Sequence, residues 1–143
     1  MKKSYGFSLL ELLIVVAIIL IIATIAIPSF LRSRQSANET SAVASLKLIT
    51  VAQNAYSTQG QIFAPSMSAL VADGLIDNRL TGTVGGYDFA ITLGPGGLTY
   101  DATATAISST SGRYDYYSSF DFVIRYSTMA ARAPAGLTGR PVQ

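Results

Sequence analysis

The hydrophobic pattern is strongest near the start of the chain. Residues 12–31 are twenty consecutive uncharged residues, nearly all Leu, Ile, Val or Ala. As a helix they would be about 30 Å long, the thickness of the hydrocarbon core of a bilayer. The run is apolar on every face, which disfavours a buried core helix. It is also longer than the apolar region of a secretory signal and is followed by no clear A-x-A cleavage site. We therefore expect a single membrane-spanning helix.

The same helix is expected to continue beyond the apolar run. From Arg32 the residues are polar or small, with neither Pro nor Gly before Gly60. Because Pro and Gly commonly end helices, the prediction extends the helix to about residue 60. Apolar side chains then recur at spacings of three and four, which predicts one buried stripe. The stripe comprises Ala42, Leu46, Ile49, Ala52 or Gln53, and Tyr56, widened by Ser45, Leu48 and Ala55, whereas Lys47, Thr50 and Asn54 form a solvated face.

The second half of the chain changes to a period of two, which is typical of strands. Residues 87–93 and 98–104 alternate around Gly94-Pro95-Gly96-Gly97 and predict a hairpin. A further strand is predicted over residues 120–126, and a fourth near residues 114–117. Before the hairpin, Ser66 is expected to cap a short helix that Gly74 closes. The tail, residues 133–143, is expected to be irregular.

These elements predict an α+β fold, in which a long N-terminal α-helix packs its distal half on a small C-terminal antiparallel β-sheet. The predicted segments are residues 1–6, which precede the apolar stretch, residues 7–31 as the hydrophobic transmembrane helix, residues 32–60 as its amphipathic continuation, and residues 61–143 as a globular β-rich domain.

Composition removes most enzyme chemistries. The 143 residues include no Cys and no His, which excludes disulfides, Cys/His zinc sites, thiol nucleophiles and imidazole acid–base catalysis. Ten basic and eight acidic residues give a net charge of +2 without a basic stripe, so nucleic acid is not favoured as a partner. We therefore expect that the protein is not an enzyme.

Carboxylates and tyrosines of the C-terminal half are the remaining candidates for chemistry. Paired aspartates could bind calcium or act as acid and base, but no D-x-D-x-D-G loop is present, so we predict no metal, no cofactor and no catalytic residue. Tyr114, Tyr116 and Tyr117, beside Arg113, are either core residues or an exposed binding surface. The six aspartates in question are Asp73, Asp77, Asp88, Asp101, Asp115 and Asp121.

Three features are unusual for a simple membrane anchor. Gly6-Phe7 opens the apolar stretch, Glu11 lies within it, and Pro28 lies near its end. A carboxylate inside hydrocarbon costs about 2.5 to 3.5 kcal/mol on insertion scales, so a compensating interaction is expected. Glu11 could also simply cap the first helical turn, where a carboxylate favours the positive end of the helix dipole.

The N-terminal sequence resembles the type IV pilins and the related pseudopilins of type II secretion. The resemblance rests on a short basic leader that ends in Gly, on the Phe after it, and on the acidic residue four positions later. One position departs from the pattern, because Leu20 stands where many relatives have glycine and favours continued helix. The matching run is Lys2-Lys3-Ser4-Tyr5-Gly6-Phe7-Ser8-Leu9-Leu10-Glu11-Leu12-Leu13-Ile14-Val15-Val16.

The resemblance implies a role for each of these residues. Gly6 would be the last residue of a leader peptide, and a prepilin peptidase would cut after it and N-methylate Phe7. Glu11 would guide assembly by pairing with the Phe7 amine of a neighbouring copy, since pairing offsets the cost of a buried charge. Pro28 matches a proline typical of pilins at this point and removes one helical hydrogen bond.

The resemblance also implies a function. The chain would be a structural subunit, inserted once in the bacterial cytoplasmic membrane and then polymerised through its N-terminal helix into a homopolymeric type IV pilus at the cell surface. Its partners would be other copies, the prepilin peptidase and methyltransferase, and the pilus or secretion assembly machinery. One alternative is a pseudopilin in the periplasmic pseudopilus of a type II secretion system. A second is a non-polymerising, single-pass membrane-anchored binding protein, which leaves Glu11 and Gly6-Phe7 unexplained.

Overall fold

The computed structural model describes residues 6–60, 62–128 and 139–142. The chain divides into two compact units, Met1–Ser33 and Arg34–Gln143, and the long helix α1, Leu9–Gly60, contributes to both. The predicted continuation of the helix to residue 60 is confirmed. Residues 1–5, the basic part of the predicted leader, lie outside the described residues, as does most of the predicted irregular tail.

In the first unit, the described residues are the non-helical residues 6–8 and the start of α1, and their large apolar side chains are uncovered. Exposure of the large apolar side chains between Phe7 and Leu31 ranges from 42% to 82%. Within the described part of the chain, α1 is the one helix long and apolar enough to cross a membrane, judged by length and composition. Its buried residues all lie at Glu39 or later.

The second unit is an antiparallel sheet packed on the distal half of α1. The strands follow one another in chain order across the sheet, and each pairs antiparallel with the next. The predicted α+β architecture is therefore confirmed. The elements after α1 are α2, Met67–Ala72; β1, Tyr87–Leu93; β2, Tyr100–Ala106; β3, Tyr114–Ser119; β4, Ile124–Thr128; and β5, Arg140–Pro141, with 3-10 turns at Asn78–Thr81 and Pro95–Gly97.

Local sequence signals explain the short elements. The side chain of Ser66 accepts a hydrogen bond from the Ala69 N–H, which caps α2 as predicted. Gly74 follows with a φ of +69°, a conformation that glycine adopts without strain. The predicted hairpin is present, with β1 over residues 87–93 as expected, but its second strand runs over Tyr100–Ala106 rather than residues 98–104, because Leu98 still belongs to the turn. Tyr87 pairs with Ala106 at the open end of the hairpin.

One core cluster joins α1, α2 and the inner face of the sheet. Strand β2 points three alanines and Tyr100 inward, and such small side chains allow close approach of an opposing helix. The buried members on α1 are Ala42, Leu46, Ile49 and Ala52, which confirms the main part of the predicted stripe.

Two predictions about the exposed and buried faces of α1 are wrong. Leu48, expected to widen the stripe, is 62% exposed. Thr50, expected to be solvated, is buried, and its hydroxyl donates to Leu46 O at 2.8 Å and is hydrogen-bonded to the Ser118 hydroxyl at 2.9 Å. A polar side chain can join a core when its hydrogen bonds are satisfied there.

The predicted strand over residues 120–126 is wrong in its first half. β3 ends at Ser119, a turn follows, and β4 begins only at Ile124. Phe122 has a φ of +61°, which is incompatible with an extended strand, and its N–H donates to Ser119 O at 2.9 Å. The predicted fourth strand near residues 114–117 is present as β3, and Arg140–Pro141 of the expected irregular tail pairs with β4.

Candidate assembly segment and its supporting contacts

The predicted processing residues, Gly6 and Phe7, lie close to the predicted assembly residue Glu11 at the start of α1. Gly6 and Phe7 precede the helix, and Phe7 is 82% exposed. The first helical hydrogen bond runs from the Leu12 N–H to Ser8 O, so Ser8 occupies the N-cap position. The junction after Gly6 therefore lies just outside the helix.

Glu11 closes the first helical turn. Its Oε2 accepts a hydrogen bond from the Ser8 N–H at 3.0 Å, which is one half of a capping box. The capping role considered from the sequence is therefore observed. Within the described residues Glu11 has no cationic partner, so one carboxylate oxygen is open to a cation from outside the chain.

Pro28 lies inside α1 without ending it. Proline cannot donate to the carbonyl four residues earlier, so Thr24 O loses its helical donor. The Thr24 hydroxyl donates to Ile21 O at 2.7 Å, but this bond gives the carbonyl oxygen of Thr24 no new donor. The helix is also continuous at Leu20, as expected for leucine at that position. The weakest backbone pairing of the segment is therefore expected at residues 24–28.

In the second unit, an ion pair between the buried carboxylate of Glu39 and the half-exposed side chain of Arg113 anchors the loop before β3 to α1. Glu39 is 6% exposed, and its carboxylate accepts from the Arg113 N–H at 2.7 Å, from Nε at 3.1 Å and from Nη2 at 2.9 Å. The Glu39 hydrogen bonds raise the pKa of Arg113. Sequence reasoning missed this pair, although Glu39 lies three residues before Ala42 on the predicted stripe. Three bonds to one buried carboxylate make it a fixed attachment point.

Two amide side chains reinforce that attachment. Gln35 Nε2 donates to Ser109 O at 2.7 Å, and Asn38 Nδ2 donates to Ser111 O at 2.9 Å. Together with Glu39 they lie within two turns of α1, and all three bind the loop between β2 and β3. This part of α1 is therefore held by polar contacts rather than by apolar packing.

Of the two alternatives for the tyrosines at residues 114–117, the core one is largely observed. Tyr117 is fully buried, Tyr116 is nearly so, and only Tyr114 is partly open. Burial, with the Glu39 charge second, raises the pKa of Tyr116 to about 12. The Arg113 guanidinium lies 5.4 Å from the Tyr114 ring centroid, so even the more open ring is engaged. The exposed-surface interpretation of this cluster is wrong.

The aspartates are dispersed over separate structural contacts. Among the described residues no three Asp or Glu side chains come together in a group that could hold a metal ion. Asp77 caps the 3-10 turn at Arg79 N, Asp115 accepts from Ala106 N, and Asp121 binds Arg125. These contacts are local and structural.

Comparison with known proteins agrees with the N-terminal geometry. The family model described as the prokaryotic N-terminal methylation motif matches residues 1–27. The chain is 39% identical over 75 residues, 52% of its length, to the type IV wide pilus major component PilA4 of Thermus thermophilus, of which that match covers 57%. It is 43% identical over 54 residues, 38% of its length, to the type IV major pilin protein PilA of Myxococcus xanthus, of which the match covers 24%.

The matched regions thus span just over half of the first relative and about a quarter of the second. The motif lies where Gly6, Phe7 and Glu11 meet the start of α1. The chain carries the prokaryotic N-terminal methylation motif, and its resemblance to the type IV pilins is confirmed.

Proposed function

We propose that this chain is the structural subunit of a type IV pilus-like filament. The observation that carries the proposal is that the methylation motif, residues 1–27, coincides with the first part of α1, where the large apolar side chains from Phe7 to Leu31 are all uncovered. An uncovered apolar surface of this size is stable only in lipid or against other apolar surfaces. A subunit that moves from membrane to filament meets both environments in turn.

The proposed sequence of events begins in the cytoplasmic membrane. A prepilin peptidase cuts between Gly6 and Phe7 and the new Phe7 amine is methylated, which removes residues 1–6 with Lys2 and Lys3. Residues 7–31 then leave the bilayer and pack against the same segment of neighbouring copies. Lipid already hides the apolar surface, so the driving force is helix–helix packing rather than removal of apolar surface from water.

Glu11 sets the register in this proposal. Its carboxylate is open to an external cation while it caps its own helix through Ser8. The Phe7 amine of a neighbouring copy supplies that cation, and the pair is stable inside the bundle only when both charges are present. A copy that docks one turn out of register leaves the carboxylate unpaired in an apolar environment.

The first experiment is intact mass measurement and N-terminal sequencing of the chain from a sheared surface fraction and from membranes. We expect a chain that starts at N-methylated Phe7 in the sheared fraction. The same processed chain confined to membranes would favour the pseudopilin of a short secretion pseudopilus. A chain that starts at Met1 in both fractions would contradict processing and leave the non-polymerising membrane-anchored protein.

A further inference from the structure

A groove of about 790 Å³ lies in the second unit between α1 and the strands β3 to β5. We call it the Arg140 groove. Its lining combines hydroxyl groups on successive turns of α1 with tyrosine rings of the sheet and one guanidinium from β5. Concave surfaces that mix aromatic side chains with a few convergent polar groups are typical of ligand sites. The polar and aromatic lining consists of Ser36, Glu39, Thr40, Tyr114, Tyr116, Tyr126 and Arg140.

The Arg140 groove carries an uncompensated positive charge. Glu39 is the one carboxylate in its described lining, and Arg113 already binds that carboxylate through Nε and Nη2. Arg140 is exposed and makes no ion pair with any described residue. A guanidinium presents a planar fork of donors that matches the oxygens of phosphate. The ligand that fits this charge is therefore an anion, and phosphate matches the donor geometry.

Two tyrosine rings give the groove an amphipathic wall. Tyr114 and Tyr126 pack edge to face with their ring centroids 5.2 Å apart, and both side chains are partly exposed. Val43 of α1 adds apolar surface to the same lining. Tyrosine is enriched where membrane meets water, because its ring is apolar and its hydroxyl is polar. The wall and the guanidinium together match a ligand that has a charged head and an apolar body.

The residues that α1 contributes to the groove follow closely after its apolar run. The run ends at Leu31, and α1 continues as one helix, so Ser36 lies about 7.5 Å further along the helix axis and Thr40 about 13.5 Å. The headgroup region of a bilayer extends about 5 to 8 Å beyond each face of its hydrocarbon core. When residues 12–31 span that core, Ser36 therefore lies at the level of the lipid headgroups.

We propose that the Arg140 groove binds the headgroup of an anionic phospholipid from the leaflet in which the apolar run of α1 ends. Arg140 binds the phosphate, Ser36 supplies a hydroxyl, and the rings of Tyr114 and Tyr126 contact the glycerol and the upper part of an acyl chain. The inference rests on the membrane insertion that the proposed function includes. It adds a specific lipid contact that holds the subunit in the membrane before assembly.

Quenching by labelled lipids tests the site in the full chain. Because the natural chain has no cysteine, Ser109→Cys provides a single exposed thiol for a fluorophore, in the loop that Gln35 binds. The labelled chain is reconstituted in phosphatidylcholine vesicles that contain a small fraction of nitroxide-labelled phosphatidylglycerol or, in parallel, nitroxide-labelled phosphatidylcholine. The ratio of the two quenching efficiencies measures the preference for the anionic lipid. We expect a ratio well above one.

Substitutions at Arg140 assign the preference to the groove. Arg140→Gln is expected to lower the ratio about fivefold, the contribution of one basic residue near an anionic surface, whereas Arg140→Lys keeps the charge and most of the ratio. Arg32 and Arg34 follow the apolar run directly and maintain a residual preference. The matched control is Lys47→Gln, which removes an exposed positive charge from α1 about 16 Å beyond Ser36, further than the screening length, and should keep the ratio. Near-UV circular dichroism of the tyrosines verifies that each variant folds.

Three outcomes would overturn the lipid site. They are a ratio near one in the unmodified chain, an unchanged ratio in Arg140→Gln, and equal losses from Arg140→Gln and Lys47→Gln, which would show that only the net charge matters. Loss of the preference on addition of inorganic phosphate at constant ionic strength would assign the groove to a free anion and overturn it as well. The vesicle experiment requires neither processing nor filaments, so absence of cleavage after Gly6 in cells contradicts the proposed function alone.

Discussion

Ser8 and Glu11 are joined across the first turn of α1, where the Ser8 N–H donates to Glu11 Oε2 at 3.0 Å. The bond uses one oxygen of the carboxylate and one of the orphan donors of the helix start. Glu11 can therefore stabilise its own helix and bind a neighbour at the same time. The two roles differ in what they require, because the cap needs only an acceptor oxygen whereas the neighbour's amine needs a negative charge.

Two substitutions at Glu11 separate these roles. Glu11→Gln keeps an acceptor for the Ser8 N–H and removes the charge, while Glu11→Leu removes both. If the charge pairs with the Phe7 amine, both variants reach the membrane and are processed, but both lose filaments in the sheared fraction. The cap is worth about 0.5 to 2 kcal/mol, so helix content by circular dichroism should fall only in Glu11→Leu. Normal filaments from Glu11→Gln would reduce Glu11 to a capping residue.

We predict that removal of the Gln53 side chain strongly lowers the stability of the fold. Its side chain donates to Ala64 O at 3.1 Å and accepts from the Ala64 N–H at 2.8 Å, and all of these groups are buried. Gln53→Ala leaves two buried backbone groups without partners, at a cost of roughly 2 to 4 kcal/mol. Urea unfolding of the full chain in detergent, followed by near-UV circular dichroism of the tyrosines, measures the loss.

Asn54→Ala is the matched control for Gln53, since Asn54 is the next residue and its side chain is exposed. A surface change of this kind is expected to stay within about 0.5 kcal/mol. Equal effects from the two variants would mean that the Gln53 bonds contribute little.

The fold was predictable where one local signal dominated. The apolar run, the absence of Pro and Gly between Arg32 and Gly60, and the Gly-Pro-Gly-Gly turn each determined one element. The alternation of Phe120 and Phe122 failed because period two continues through a turn that a positive φ and the Asp121–Arg125 contact impose. Alternation in sequence cannot report the backbone conformation of a single residue.

The candidate site was predictable only at its N-terminal end. Gly6, Phe7 and Glu11 lie within six consecutive residues, so a short sequence motif can identify them. Glu39 and Arg113 are 74 residues apart, and their pairing depends on how β3 lies against α1. The sequence did contain one signal for this pair. Glu39 lies on the predicted buried face of α1, and a buried carboxylate needs a hydrogen-bonding or charged partner.

We predict that the contact between Asp121 and Arg125 stabilises the fold at neutral pH and that acid removes this contribution. Hydrogen bonds from Arg125 hold the pKa of Asp121 below its ordinary value in the folded chain. A folded-state pKa below the unfolded value means that the contribution is complete above the unfolded pKa and is lost as the pH falls through the folded one. Stability should therefore decline below about pH 4. Asp121→Asn should lower stability at pH 7 and make this decline shallower than in the unmodified chain, as measured by urea unfolding between pH 7 and pH 2.

Asp73→Asn is the control for this pH profile, because Asp73 is exposed and the structure gives its carboxylate no ion pair among the described residues. It should leave the acid decline unchanged. A parallel shift of the whole curve in Asp121→Asn, with the same slope, would contradict the assignment to this carboxylate.

Gly112 is required by the close approach of Tyr87. A Cβ at Gly112 would lie 1.8 Å from the Tyr87 hydroxyl oxygen, and Tyr87 is fully buried with that hydroxyl bound to Tyr114 O at 2.8 Å. Gly112→Ala must displace the ring or the loop, at a cost of about 1 to 3 kcal/mol for overpacking. Gly82→Ala is the control, because the nearest atom to its added Cβ is Arg79 O at 3.9 Å. It should change the unfolding free energy by less than about 0.5 kcal/mol.

A double mutant measures the share of the clash that the hydroxyl causes. Tyr87→Phe removes the oxygen but keeps two ring carbons within 3.0 Å of the new Cβ, so Gly112→Ala should cost less, but still cost something, in the Tyr87→Phe background. Contacting residues commonly show coupling energies of about 0.5 to 3 kcal/mol in such cycles. Because the loop that contains Gly112 is also bound by Asn38 and Glu39, the same clash should loosen the attachment of β3 to α1. Faster hydrogen exchange at the Arg113 N–H in Gly112→Ala, reversed by Tyr87→Phe, would establish that link, and additive free energies would show that the two residues act independently.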